Sequence, residues 1–424
     1  MSGHRIEPGE LRERVRAILP RAVELRHELH GMPETGFQER RTAELLRARL
    51  AAAGVQLQPP YLETDVTGLL RGRRPASPGF TPTGMSARRP AAPGYAASPS
   101  SAPGRCVLLR ADIDALRVEE RRERPWKSRL PGCAHACGHD GHMAMLTAAA
   151  EVLGGLADRF SGDVRFVFQP GEEEMGGGLR LIERGLLEAE PRPAAAFALH
   201  GWPGLPEGRL GASPGPAMAA ADGFTIIVHG RGGHGARPHL AIDPILAAAQ
   251  VVTSLQGIVA RNVDPQQAAV ISVCVIRGGS TTNVIPEQAR LEGTVRYFDP
   301  DLKHLLRTRM GEVVRGVCEA AGAEHEFHYH EGYIPLVNDP EQVRFARDTV
   351  RAYLGAEAWH EGPAREMTAE DFAFYLQRVP GAQLLLGLGE GWPALHNPEF
   401  DFNDRCLEAG IVTLAALALQ TLAG

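Results

Sequence analysis

The chain of 424 residues is long enough for two or three domains, and its 44% hydrophobic and 23% charged residues are those of an ordinary globular protein. A formal net charge of −6 argues against a nucleic-acid or membrane surface. The N-terminal MSGHRIEPGELRERV has no apolar leader segment, no apolar run is expected to reach the ~18 residues that span a bilayer, and the scattered cysteines do not resemble a disulfide framework. A cytoplasmic protein is therefore expected.

In chain order, residues 11–53 alternate charged and apolar residues at helical spacing and predict two helices, broken by HGMPETGF. Residues 73–104 are rich in Pro, Ala, Gly and Ser and read as a flexible surface insertion that cannot bury enough apolar area to offset its ordering entropy. RCVLLRADID, from Arg105, predicts a buried strand ending in acids, and MAMLTAAAEVLGGLA, after His142, a helix. DVRFVFQPGEEE is a second strand ending in acids, and AAAFALHGW a third, ending in a histidine. Strands alternating with helices predict an α/β domain with a mostly parallel sheet and helices on both faces. Ligands bind beyond the carboxyl ends of such strands, and Asp112, Asp114, Glu172, Glu173 and His200 all fall there.

From about 215 the order becomes strand, helix, two strands, helix, strand, through EHEFHYH. This is the ferredoxin-like pattern, so an α+β domain is expected at 215–331, inserted in a first domain made of 1–214 and 332–424.

The densest chemistry is GCAHACGHDGHMAML, residues 132–146. Cys137 and His139, two residues apart, can face one ion if the backbone is extended, and thiolate and imidazole both suit zinc and related ions. A structural zinc held with Cys133, His135 or His142 fits the same spacing. A catalytic site is favoured by QPGEEEMGGG, because a hydrolytic metal site needs one carboxylate to bind the ion and another to move a proton. His200 and His396, the latter in LHNPEFDFND, supply further imidazoles.

RHELHGMPETGFQE, LLRADIDAL, HACGHDGHMAMLTAAA, FQPGEEEMGGG, GRGGHGARPH, GGSTTNVIPEQARLEGTVR, MTAEDFAFY and LHNPEFDFND occur in the order found in a known family. The chain resembles the two-metal amidohydrolases that include hippurate hydrolase, bacterial aminoacylases and plant indole-acetyl-amino-acid hydrolases, which are related to carboxypeptidase G. The resemblance covers nearly the whole chain outside 73–104. It implies a zinc-peptidase-like catalytic domain with a lid or dimerisation domain, and two divalent ions, zinc or manganese first and cobalt or nickel next, held by Cys137, His139, Glu173, His200 and His396. Glu172 would be the general base, and Asp114 would orient a ligand, with Asp112 either a ligand or another orienting group. His234 would help hold the scissile carbonyl oxygen, commonly across a dimer interface. Asn283 and Arg296 would bind the substrate's free carboxylate. The reaction implied is hydrolysis of the amide of an N-acyl amino acid by a metal-activated water, in a homodimer or higher homo-oligomer.

Two features depart from the family. Arg117 stands where a proline usually follows Asp-Ala-Leu, and EERRERPWKSRL after it is more basic than usual, which bears on substrate preference or access. Cys133 is an extra thiol near the expected metals. Three rival readings rank lower. GRGGHG, residues 230–235, fits a dinucleotide fingerprint after a strand, but ARPHLAIDP follows where a helix should open. A non-catalytic metal-binding scaffold would have lost its base or ligands, and these are intact. Within hydrolases the alternative is a dipeptidase or carboxypeptidase, against which the Cys-Gly-His-Asp form of the loop speaks.

Overall fold

Alternation along four strands organises the larger unit. In Cys106–Asp112, Val107, Leu109 and Ala111 join the main apolar core, and so do Val164, Phe166 and Phe168 of Asp163–Gln169. Phe197 and Leu199 of Ala195–Pro203 and Leu384, Leu386 and Leu388 of Gly381–Gly389 lie in the same core. With a side-chain period of two, the intervening residues face the other way. They include Arg110, Asp112, Arg165, Gln169, His200 and Gln383, which are also buried. One sheet face is thus apolar, and the other mixes buried polar groups with apolar residues such as Leu108, Val167 and Leu385.

The structure is a computed structural model that describes residues 6–74, 106–173 and 176–423. The insertion expected at 73–104 lies, apart from Arg73 and Arg74, outside the described residues. The chain divides into two compact units, one of Met1–Gly215, Val337–Ala364 and Asp371–Gly424, the other of Pro216–Leu336 and Arg365–Glu370. The smaller unit runs to Leu336 rather than 331 and takes in a second segment carrying MTAE.

The larger unit's sheet has seven strands. Its centre is parallel, in the order Asp163–Gln169, Cys106–Asp112, Ala195–Pro203, Gly381–Gly389. Val66–Arg71, Gln56–Leu57 and Leu210–Gly211 add antiparallel edges, so the sheet is mixed around the expected parallel centre. Short connections at the margins permit antiparallel pairing, whereas the central strands need helical crossovers. The helices Pro8–His30, His139–Gly154 and Leu407–Ala423 pack against one another. The segment Asp404–Ala423 is long and apolar enough to cross a membrane, which corrects the expectation that no run would be. Its apolarity has another cause: Leu407, Ile411, Val412, Leu414 and Leu417 are buried in the core.

Helix His139–Gly154 begins earlier than its apolar run predicts. Gly138, with φ 87°, supplies a left-handed turn that places His139 and Asp140 in the first turn. Gly141 in that turn packs against Phe402, and an added Cβ there would overlap the ring. Gly141→Ala is expected to lower stability by about 1–3 kcal/mol through overpacking, read as a fall in the denaturant midpoint.

The smaller unit has one antiparallel sheet in the order Ala269–Gly278, Gln288–Tyr297, Ala220–His229, Glu324–Tyr333, the ferredoxin-like order. Its helices Pro244–Asn262 and Pro300–Ala321 start at Asp-Pro pairs, where Asp243 and Asp299 accept hydrogen bonds from the first-turn amides. GRGGHG leads into the short strand Gly233–His234, and the helix opens only at Pro244. Gly230 packs against Pro244 at the start of that helix, but ARPHLAID with its 3-10 turn Pro238–Leu240 separates the glycines from it, so the direct strand-turn-helix of a dinucleotide fingerprint is not formed there.

Candidate metal centre

Three parallel strands deliver the chemistry to one edge. Cys106–Asp112 ends on Asp112 with Asp114 just beyond, Asp163–Gln169 leads to Glu172 and Glu173, and Ala195–Pro203 carries His200. The loop 132–138 brings Cys137, and helix His139–Gly154 begins with His139. His396 arrives from the C-terminal segment, tied to the loop by its own N–H donating to the Ala136 carbonyl at 2.7 Å. His396 has φ 64°, a left-handed backbone costing of order 1–3 kcal/mol in a non-glycine residue and concentrated at functional sites.

Ligand-type atoms converge within 4.8 Å in overlapping groups: Cys137, His139 and His200; Cys137, Glu173 and His396; His139, Glu172 and Glu173. Cys137 is common to the first two, as a thiol lying between two positions would be. His139 and His200 are each aimed by the other ring nitrogen. His200 Nδ1 donates to the Gly201 carbonyl at 2.9 Å, leaving Nε2 3.5 Å from Cys137 Sγ. His139 Nδ1 donates to the Asp114 carbonyl at 2.8 Å, and its buried Nε2 makes no hydrogen bond. The Asp114 carboxylate accepts from the Glu173 N–H at 2.9 Å, so this aspartate orients two of the converging residues. His396 Nε2 lies 3.0 Å from Glu173 Oε1.

Asp112 and His142 are engaged by neighbouring groups. Asp112 accepts from His142 Nδ1 at 2.6 Å and from Arg110 Nη1 at 2.7 Å, which engages both of its oxygens. His142 Nε2 accepts from the Gly201 N–H at 2.8 Å, so both of its nitrogens are used. Asp112, His139 and His142 also place ligand-type atoms within 4.8 Å of one another, with Asp112 and His142 hydrogen-bonded to each other. Cys133 and His135 are buried in the same loop.

The electrostatics call for a cation. Burial, then the carboxylates of Glu173, Glu172 and Asp112, push the Cys137 thiol well above its ordinary range. Burial opposes a charge on His139, yet Asp112, Asp114 and Glu173 outweigh it and hold the imidazole up at about 10. His200 is pushed down to about 3 by burial and by His142 and His139. Carboxylates and a thiol thus surround these imidazoles, and His139 Nε2 is left without a hydrogen-bond partner. A divalent ion relieves this set, because coordination takes the thiolate and the neutral imidazole.

The other expected residues lie in the smaller unit. His234 pairs with Val284 across a two-strand ladder, and Gly235 N–H donates to the Asn283 carbonyl at 2.8 Å, so His234 and Asn283 are neighbours. Arg296 is not with them. It sits near the far end of Gln288–Tyr297, eight residues beyond Gln288 and so about 26 Å along the strand. Its guanidinium bonds the Thr294 hydroxyl and, at 3.2 Å, the Val295 carbonyl. Reading along the sequence could not reveal this arrangement, since Asn283 is only 13 residues from Arg296 yet is neighbour to His234, 49 residues before it.

Residues 108–420 match the sequence profile of Peptidase family M20/M25/M40. The chain is 33% identical to N-acetylcysteine deacetylase of Bacillus subtilis, over 96% of this chain and 99% of the relative. It is 37% identical to N-acyl-L-amino acid amidohydrolase of Geobacillus stearothermophilus, over 81% and 85%, and 34% identical to thermostable carboxypeptidase 1 of Saccharolobus solfataricus, over 98% and 97%. Among solved structures, a dinuclear metal-binding peptidase of the M20 family from Bacillus subtilis superposes with a TM-score of 0.78 at 31% identity, over 96% of this chain and 99% of that one. The chain belongs to peptidase family M20/M25/M40, as a metal-dependent amidohydrolase.

Proposed function

We propose that the protein hydrolyses the amide of N-acyl amino acids, with acetyl, benzoyl or aryl-acetyl groups as the acyl part, releasing a carboxylic acid and an amino acid. The observation that carries this reading is the convergence of Cys137, His139, Glu172, Glu173, His200 and His396 around a thiol and unpartnered imidazole nitrogen that need a cation. Cys137, His139, Glu173, His200 and His396 would hold two divalent ions, zinc or manganese, with cobalt or nickel as alternatives. Such ions supply Lewis acidity to a carbonyl oxygen and acidify water. Glu172 takes the proton of the attacking water and returns it to the leaving amine nitrogen. Asp114 and Asp112 keep His139 and His142 in fixed tautomers, which holds the ligand set in place.

The N-acyl reading draws on the relatives named as a deacetylase and an amidohydrolase; carboxypeptidase action is the alternative, from the relative named so. The test is hydrolysis of N-acetyl-, N-benzoyl- and indole-acetyl-amino acids beside dipeptides and acyl-blocked peptides, after chelation and after adding back each metal. Fastest metal-restored cleavage of N-acyl amino acids is expected. Faster cleavage of peptides would replace this reading by the carboxypeptidase one, and no cleavage of any would overturn both.

The smaller unit is proposed as the dimerisation domain. Leu240, Leu246, Ile276 and Val284 are large apolar residues exposed on it, and a second copy is the occupant that also solves the separation of Arg296 from His234 and Asn283. One protomer would supply His234 and Asn283 and its partner Arg296. Mixing inactive His234→Ala and Arg296→Ala proteins is then expected to restore part of the activity; a mixture as inactive as its components, with light scattering showing monomers, would overturn the arrangement.

A further inference from the structure

Outside the metal centre, the larger unit buries a second dense set of ionisable groups. Arg26 is fully buried, and its Nη1 donates to Asp140 Oδ2 at 3.0 Å and to Asp401 Oδ1 at 2.7 Å. Its Nε lies 2.5 Å from Asp404 Oδ1. His30 Nδ1 donates to Asp140 Oδ2 at 2.8 Å, while its Nε2 lies 3.3 Å from Glu120. Arg124 pairs with Glu120 at 3.1 Å and with Asp401. His30, Asp140 and Asp401 form a donor set of the kind that binds metals. Here the cation is already present, because the Arg26 guanidinium stands between the two carboxylates.

The position of this cation matters more than its charge. Asp140 follows His139 directly, and Asp401 and Asp404 lie in LHNPEFDFND, five and eight residues after His396. Arg26 therefore links the two segments that carry His139 and His396, which lie 257 residues apart in the chain. The segment 117–130 closes over it. Trp126 stacks on His27 with ring centroids 3.7 Å apart, lies 5.3 Å from the Arg26 guanidinium and donates from Nε1 to Asp401 at 3.4 Å. The unusual Arg124 and Trp126 of that segment are thus spent inside the unit. Three cationic groups (Arg26, Arg124 and His30, whose pKa is raised to about 9 against the cost of burial by Asp140 and Glu120) face Asp140, Asp401 and Glu120.

We propose that Arg26 is a positioning residue for the metal centre: by clamping Asp140 and Asp401 together, it fixes the His139 and His396 segments at the spacing at which both reach Cys137. A forked guanidinium suits this task, because it meets carboxylates from two directions with fixed geometry, whereas an ammonium is a point charge. The proposal rests on His139 and His396 being ligands.

The test uses the full chain, stripped of metal. Zinc affinity is measured by competition with a chromophoric chelator, and the cobalt-substituted protein is examined by electronic absorption. Arg26→Gln is expected to weaken zinc binding about 10–100-fold, the range found when groups that orient ligands are removed, and to shift the cobalt bands. Arg26→Lys should recover part of both. Wild-type affinity and spectrum in a folded Arg26→Gln protein overturn the proposal. If that variant does not fold, Asp404→Asn, at the more exposed end of the cluster, is read in the same two ways, and wild-type values there overturn it equally. His396→Ala separates the failures: weakened binding in His396→Ala but not in the Arg26 variants removes the clamp alone, whereas unchanged binding in His396→Ala removes the ligand assignment and the clamp with it.

Discussion

Glu172→Gln is expected to lower turnover by about 10²–10⁴-fold while leaving metal stoichiometry unchanged, as befits loss of a general base. Glu172 is buried, within 4.8 Å of ligand atoms of His139 and Glu173, and the Asp371 N–H lies 3.4 Å from its Oε1. Glutamine keeps the shape and can still accept that hydrogen bond, but it cannot take a proton. Adjacent Glu173 meets His396 instead, so the two neighbouring carboxylates have different surroundings. The measurement is kcat on the best substrate beside metal content by elemental analysis. Turnover within tenfold of wild type would remove Glu172 from the mechanism; loss of metal along with turnover would make it a ligand.

The second large effect is expected at Arg110. This buried arginine donates to Asp112 at 2.7 Å, to Asp371 at 2.9 Å and to Gln169 at 3.1 Å. Asp371 also accepts from Gln169 and from the Gly178 N–H, and Asp112 accepts from His142. Arg110→Met leaves two carboxylates without their shared cation in a buried layer, at a cost of about 3–5 kcal/mol. Denaturant unfolding of the metal-free protein reads this directly. Asp371→Asn in the Arg110→Met background should recover part of the loss, because it removes one of the stranded charges. A change below 1 kcal/mol, or no recovery in the double variant, would show that the layer tolerates the charges by hydration or protonation.

Comparing these positions with the sequence shows where reading along the chain stops. LLRADID is legible as a strand that ends in acids, and the parallel order brings those acids to the edge where Glu172 and His200 also arrive. Arg110 is not legible in the same way. A charged residue at an alternating position ordinarily faces solvent, and only the packed second face shows it buried among partners as far as Asp371. Asp112 stayed open between ligand and orienting group for the same reason: its two oxygens are claimed by neighbours that spacing alone does not identify. The apolar length of the C-terminal helix is the same signal in a core helix and in a membrane span, and its burial in the core accounts for it.

The sequence by itself determined what is local: the helical and strand periods, the βαββαβ order of the smaller unit, the pairing of Cys137 with His139, and the tandem of Glu172 and Glu173. These follow from spacing of a few residues, where backbone geometry sets which side chains can meet. The tertiary structure decided what is long-range. It placed Arg26 against Asp401, 375 positions away, set Cys137 among two triads, and put Arg296 at the other end of the sheet from His234. The cause is physical. Burying a charge is costly unless a partner meets it, and which partner meets it depends on how distant elements pack, not on the residues beside it in the chain.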